Sequence, residues 1–279
     1  MRLPAIVRMV AKRMVKASPL LRRRIMTSTD YRVLFDVDEA RKEAASARGW
    51  LAARTVARQE RAYRGLMAAM KRGEPRLDLR VAADAVKATG IVRPRLIEVG
   101  CGSGYYFEVF ETLLHGSVQY SGVDYSRSMI ERARARYPTA TFEVGDGTRM
   151  RYDDATFDIV FNGVSLMHII EFSAAIREAA RVASHYCVFH TVPVFDEHRT
   201  TFLRKHAYGA PVVEIIFNKK ELMALCAEHG LSLERQWSGI PYDVFDITGH
   251  HSRTETYLFA VQRSGEHRSN KCTNGGTHE

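Results

Sequence analysis

From Arg95 onward, short apolar runs alternate with helical stretches: RLIEVG, YFEVFETLL, VQYSGVDY, SMIERARARY, ATFEVGD, FDIVFNG, AAIREAARVA and YCVFHTVPV follow one another. Repetition of strand, helix and strand predicts a parallel sheet with helices on both faces, because each parallel crossover needs a long return connection and a helix supplies it. A further helix is expected in NKKELMALCAEHG, with Asn218 as its N-cap, Glu221 as the capping-box partner and Gly230 as its stop. Two last strands, LSLERQWSG and TETYLFAVQR, complete the set. The expected fold class is α/β, a doubly wound, seven-stranded, mostly parallel sheet with an N-terminal helical extension.

That extension has a different texture. DVDEARKEAASARGW, TVARQERAYRGLMAAMKRG and LDLRVAADAVKATG mix charge with Ala, Leu, Met and Val at helical spacing, and Gly73 and Gly90 mark stops, so residues 30–92 are expected to form a helical cap. Residues 1–29 read as a basic amphipathic segment, with eight Lys or Arg before the first acid, Asp30. Without those eight, the net charge of +9 shrinks to 33 basic against 32 acidic residues. A nearly neutral body argues against nucleic acid as a partner, since phosphate binding needs a basic footprint on the binding face. Two readings of residues 1–26 stand side by side: a helix lying on an anionic membrane surface, or a solvated helix packed on the body or a partner. The segment has no apolar run of spanning length and no signal-peptide cleavage site. Cys101, Cys187, Cys226 and Cys272 form no C-x-x-C pair and no Cys/His cluster, which fits unpaired thiols in a reducing, cytoplasmic setting and gives no metal site. Residues 263–279, polar and without periodicity, read as a disordered tail.

The turn after the first parallel strand, IEVGCGSGYY, carries Gly100, Gly102 and Gly104. Ligands of open parallel sheets bind outside the carboxyl ends of the strands, and glycines there let a ligand approach the main chain. The helix that starts near Tyr105 directs its free N–H groups at the same place. A pyrophosphate-binding fingerprint would read G-x-G-x-x-G, but the third glycine here comes one position early. Glu98, two residues ahead of the first glycine, is an awkward neighbour for a pyrophosphate and suits a ligand whose nearest group is cationic.

With these features residues 95–262 resemble the class I S-adenosylmethionine-dependent methyltransferases, of Rossmann-like fold. The resemblance implies S-adenosylmethionine as cofactor, with Glu98, Gly100, Cys101 and Gly102 along its methionine and ribose side and Gly104 opening the helix. In SGVDYS, Asp124 corresponds to the acid that accepts both ribose hydroxyls, with Tyr125 beside it and Met129 against the adenine. In VGDGTRM, Asp146 takes the adenine amino group and Gly147 gives close backbone approach. Asn162 and Gly163, ending the fourth strand, would face cofactor and acceptor. The domain assigned on this basis is 93–262.

Methyl transfer from a sulfonium requires positioning more than covalent chemistry, so no metal is expected, and a hydroxyl acceptor needs a base within reach. His168 is the candidate catalytic base, with a packing or positioning role as the alternative. His190 reads as buried and hydrogen-bonded. Two long connections, FDEHRTTFLRKHAYGAPVVEIIF and GIPYDVFDITGHHSRTE, are expected as loops over the cofactor face. Arg199, Arg204, Lys205 and His206 make the first one basic, which suits an acceptor bearing phosphate or carboxylate, a solvated loop being the alternative. The expected function is methyl transfer to a small-molecule or glycan-linked acceptor. The rivals are a cofactor-binding scaffold without transfer and a nicotinamide-dependent oxidoreductase.

Overall fold

The computed structural model describes residues 28–46, 49–51 and 53–263. Residues 1–26, weighed above as a membrane-surface helix, and the tail beyond 263 lie outside them. Strand β1 (Ser28–Val33) leads into helices α1 (Val37–Ser46), α2 (Ala53–Lys71) and α3 (Leu77–Lys87). Then follow β2 (Arg95–Val99), α4 (Tyr105–Leu113), β3 (Gln119–Asp124), α5 (Arg127–Arg136), β4 (Thr141–Val144) and β5 (Phe157–Gly163). A 3₁₀ turn, Leu166–His168, precedes α6 (Phe172–Val182), β6 (Ala183–Phe195), β7 (Thr201–Ala207), β8 (Ala210–Asn218) and α7 (Lys219–Glu228). The last elements are β9 (Leu231–Ser238), α8 (Phe245–Thr248) and β10 (Arg253–Val261).

The seven expected strands are all present, in the order β4-β3-β2-β5-β6-β10-β9, and β10 alone runs against the other six. Successive residues of the central strands serve opposite faces, as the period of two requires. Leu96, Ile159, Phe161 and Val188 pack with Met70, Leu79, Tyr106 and Phe110 from α2, α3 and α4. Ile97, Val160, Cys187 and Phe189 pack with Ile176, Leu222 and Cys226 from α6 and α7. Both faces are covered, which is why these strands read as nearly continuous apolar runs.

Three further strands join the sheet, and two of them correct the loop expected after β6. β7 and β8 form an antiparallel hairpin, Ala207 facing Ala210 across the two-residue turn Tyr208–Gly209. Both turn residues have positive φ, 50° and 82°, the backbone that a tight hairpin turn requires. Thr201, Leu203, Lys205 and Ala207 alternate, buried, with half-buried Phe202, Arg204 and His206. The charges in TFLRKHA mask that strand period. β1 pairs with β7 at the edge, so helical structure begins at Val37 and not at residue 30. β6 is long, and beyond Gly163, where β5 stops opposite His190, its free edge is taken by β8 through Val194 and Phe195. The hairpin therefore stands beyond the carboxyl ends of the parallel strands.

The second expected loop holds the short helix α8, stopped by Gly249. Among the described residues no helix is long and apolar enough to cross a membrane.

Asn218 caps α7 as expected, its Oδ1 accepting the Glu221 N–H at 3.0 Å, while its Nδ2 donates to the His198 carbonyl at 2.9 Å. The reciprocal half of the capping box runs through Thr200, whose hydroxyl accepts from the Asn218 N–H and donates to Glu221. Asn218→Ala removes both side-chain bonds and should lower stability by about 1–2 kcal/mol, read from the urea midpoint.

Candidate active site

The N–H groups of Gly100 and Cys101 both donate to the Val123 carbonyl, 2.8 and 3.1 Å away, and so tie the glycine turn to the end of β3. The next N–H, of Gly102, donates to Asp124 Oδ2 at 2.9 Å, and the Ser126 N–H donates to Oδ1 at 2.8 Å. Asp124 is buried to 8% exposure, and burial pushes its carboxyl above the ordinary value while the two N–H groups oppose that. Each carboxylate oxygen has one backbone bond and further lone pairs to offer.

The three glycines answer three separate demands. A Cβ on Gly100 would lie 2.4 Å from Ser165 Cβ, and one on Gly104, which opens α4 at φ 80°, would lie 2.8 Å from the Phe142 ring. A Cβ on Gly102 would meet only Met129 Sδ, at 3.9 Å, and otherwise stand in open space. That space is a cavity of about 460 Å³ over the strand ends.

Gly100, Cys101, Gly102, Asp124, Tyr125, Met129, Asp146, Gly147, Gly163 and His168 all line it. Asp146 keeps one oxygen on the N–H and hydroxyl of Thr148, at 2.8 and 2.7 Å. Glu98, Gly104 and Asn162 do not line it. Glu98 lies on the Leu96 face of β2, buried to 1% exposure, where it accepts the Tyr120 hydroxyl, and desolvation holds its carboxyl well above the usual range. Strand alternation thus puts Glu98 on the face of β2 that α4 covers and outside the lining of the cavity. Asn162 is absorbed by the turn after β5, its Oδ1 accepting from the Ser165 hydroxyl at 2.8 Å and the Leu166 N–H at 2.7 Å.

The cavity continues past His168 beneath the β7–β8 hairpin. His168 Nδ1 is 2.7 Å from the Val213 carbonyl of β8; a carbonyl only accepts, so Nδ1 carries the proton and Nε2 is the free acceptor. Burial, then the charge of Lys205, push this imidazole down to about 3, so it is neutral. Lys205 from β7 is ion-paired with Glu214 from β8, and Tyr242 also donates to Glu214. The Lys205 ammonium lies 5.6 and 5.7 Å from the ring centres of Tyr31 and Tyr242. Trp50, 5.2 Å from His168 between ring centres, forms a wall with Tyr208 and Tyr63, whose hydroxyls are 3.3 Å apart. Arg58 of α2 clasps the hairpin tip by donating to the Tyr208 carbonyl at 3.1 Å. Val164 and Thr191, both β-branched, line the same cavity at φ 58° and 55°, a backbone such residues adopt only under constraint.

A family model described as "Methyltransferase domain" matches residues 97–189, from β2 into β6. The 27-O-demethylrifamycin SV methyltransferase of Amycolatopsis mediterranei is 34% identical over 94 residues, which cover 32% of this chain and 34% of that protein. The demethylmenaquinone methyltransferase of Streptomyces griseus is 30% identical over 112 residues, covering 39% and 46%. Among solved structures, magnesium protoporphyrin IX methyltransferase from Synechocystis with bound SAH superposes with a TM-score of 0.52 at 15% identity, covering 77% of this chain and 98% of that one.

Residues 97–189 carry a methyltransferase domain, and the fold is the Rossmann-like one of the class I S-adenosylmethionine-dependent methyltransferases. Its cofactor is S-adenosylmethionine. The chain spans only about a third of the length of the first curated relatives it matches.

The β7–β8 hairpin lies wholly outside residues 97–189. Sequence reasoning registered Lys205 there as one of four loop cations and missed Glu214, Tyr208 and Tyr242. The alternation Thr201, Leu203, Lys205, Ala207 against the β-branched APVVEIIFN was the signal available. Of the four residues expected to make this segment basic, three are engaged within the protein, Arg204 with Glu43 at 3.0 Å, Lys205 with Glu214, and His206 at 3.6 Å from Asp30, and Arg199 does not line the cavity.

His190, as expected, is buried and bonded, with Nδ1 2.9 Å from Thr256 Oγ1 and Nε2 3.0 Å from Thr191 Oγ1. Burial pushes it down to about 4. At pH 5 the unfolded chain binds a proton here that the folded chain excludes, so this histidine favours folding above about pH 6.5 and costs stability as pH falls toward 4. His190→Gln should shrink the stability lost between pH 8 and pH 5 by about 2 kcal/mol, measured by urea denaturation at both pH values.

Proposed function

We propose that this protein transfers a methyl group from S-adenosylmethionine to a small molecule held beneath the β7–β8 hairpin. The observation that carries the reading is Asp124, a carboxylate fastened by two backbone N–H groups that still has a lone pair on each oxygen facing the cavity. That arrangement matches the vicinal hydroxyls of a ribose. Gly102, open to the cavity, admits the cofactor close to the main chain, Met129 offers an apolar contact to the adenine, and the unengaged oxygen of Asp146 suits its amino group. Bound there, the cofactor supplies an electrophilic methyl group on a sulfonium.

The chain's own part is positioning and proton handling. His168 Nε2 accepts the hydrogen bond of an acceptor hydroxyl, and Val213 holds the ring in the tautomer that allows it. A hydroxyl oxygen that gains a methyl group becomes strongly acidic, so even an imidazole held near 3 can take its proton. Trp50, Tyr63 and Tyr208 exclude water from the acceptor. The relatives named above act on a rifamycin and on demethylmenaquinone by their names, which supports a small-molecule acceptor here.

Asp124→Ala should weaken S-adenosylhomocysteine binding by at least about 10- to 100-fold in calorimetry, since even one hydrogen bond to the charged carboxylate is worth about 1.5–3 kcal/mol. Unchanged affinity refutes the assignment of the cofactor site. Incubation with methyl-labelled cofactor and fractionated cell extract should place the label in the small-molecule fraction. His168→Ala should bind S-adenosylhomocysteine as the parent does and transfer that label about 10²-fold more slowly.

A further inference from the structure

Among the described residues, charge at the hairpin end of the cavity is internally balanced. The amine and carboxyl groups lining this end there are Lys205, whose ammonium burial pushes down to about 7, and Glu214, and they pair with each other. Tyr242 donates to the same carboxylate, and the faces of Tyr31 and Tyr242 flank the ammonium. His168 is neutral. The other polar groups here are uncharged hydroxyls and an amide, including Ser28, Thr191, Thr254 and Gln59. The neighbouring cation Arg204 is engaged by Glu43, on the half-buried face of β7 and away from the cavity.

A buried ion pair costs desolvation that an apolar pair of the same volume would not, so its presence in a cavity wall calls for a role. An ammonium has three N–H donors, and Glu214 engages one of them, which leaves donors for an uncharged oxygen. A carboxylate, phosphate or ammonium entering this end would find its counter-charge already taken and would lose its hydration without compensation. The aromatic wall of Trp50, Tyr63 and Tyr208, whose rings meet edge to face, gives an apolar or planar body aromatic surface to pack on.

We infer that the Lys205–Glu214 pair is the specificity determinant of the acceptor site and selects an uncharged, hydroxyl-bearing ring compound over its charged analogues. The inference deepens the methyltransferase reading and rests on it. Breaking the pair should therefore change which charge is accepted, and not merely weaken binding. Glu214→Gln leaves an unpaired cation, and Lys205→Met leaves an unpaired anion.

The test uses p-cresol, 4-hydroxybenzoate and tyramine as neutral, anionic and cationic para-substituted phenols, titrated at pH 6 into protein saturated with S-adenosylhomocysteine. Binding of S-adenosylhomocysteine, measured first, reports on the methyltransferase reading and on folding of each variant. Loss of that binding in the parent protein refutes the earlier reading, a result separate from any ranking of the probes. With it intact, p-cresol should bind at least about tenfold more tightly than either charged probe. Relative to p-cresol, 4-hydroxybenzoate should gain at least about tenfold in Glu214→Gln, and tyramine likewise in Lys205→Met. Parent protein that binds a charged probe as tightly as p-cresol, or binds none of the three, overturns the inference. So does an unaltered ranking in variants that retain S-adenosylhomocysteine binding. If both variants lose the cofactor product, the ranking in the parent protein decides alone.

Discussion

The length of β6 is the constraint from which the active site follows. Its thirteen residues outrun β5, which ends opposite His190, and an unpaired strand edge buried in a protein is costly. β8 takes that edge at Val194 and Phe195 and carries β7 and β1 with it. One strand therefore belongs to two neighbourhoods. Its first half completes the parallel sheet on which the cofactor end is built, and its second half supports a roof over the ends of the strands. The left-handed backbone at Val164 and Thr191 lies at this handover, where the two neighbourhoods part.

The two halves of the cavity were not equally legible in the sequence. The cofactor half rests on short-range features: a glycine turn, carboxylates at strand ends, and helices beginning just after them. Asp124, Asp146, Met129 and Gly102 line the cavity because each stands at or just beyond the carboxyl end of a parallel strand, where backbone direction decides the position. Glu98 and Asn162 occupy the same motifs yet turn elsewhere, Glu98 by the alternation of β2 and Asn162 by bonding the turn that follows it. A motif fixes the neighbourhood of a residue; the side-chain direction depends on which competing donor or acceptor is nearer.

The acceptor half depends on pairings distant in the chain, and these have no local signature. Lys205 reads as one basic residue among several until a hairpin whose turn includes the bulky Tyr208 brings Glu214, paired with Leu203 two residues away, within reach of it. Tyr31 and Tyr242 reach the same ammonium from segments more than two hundred residues apart. Charge counted along the sequence suggested an anion site. In space, Arg204, Lys205 and His206 are each met by a carboxylate of the protein.

That neutrality has a chemical consequence for the proposed reaction. Transfer of a methyl group from a sulfonium to an uncharged oxygen spreads one positive charge over two centres and creates no new one. The acceptor end then has no charge to neutralise, and needs only to hold the oxygen in line, keep water out and offer a place for its proton. A hairpin clasped to α2 by Arg58, an aromatic wall and a tautomer-locked histidine meet those three needs with no counter-ion. Carboxylates are useful at the opposite end, where Asp124 and Asp146 face the cavity and a cationic cofactor is expected. On the proposed reading, separating a carboxylate-lined cofactor end from an acceptor end whose charges are paired lets one continuous cavity take two ligands of different charge without either competing for the other's place.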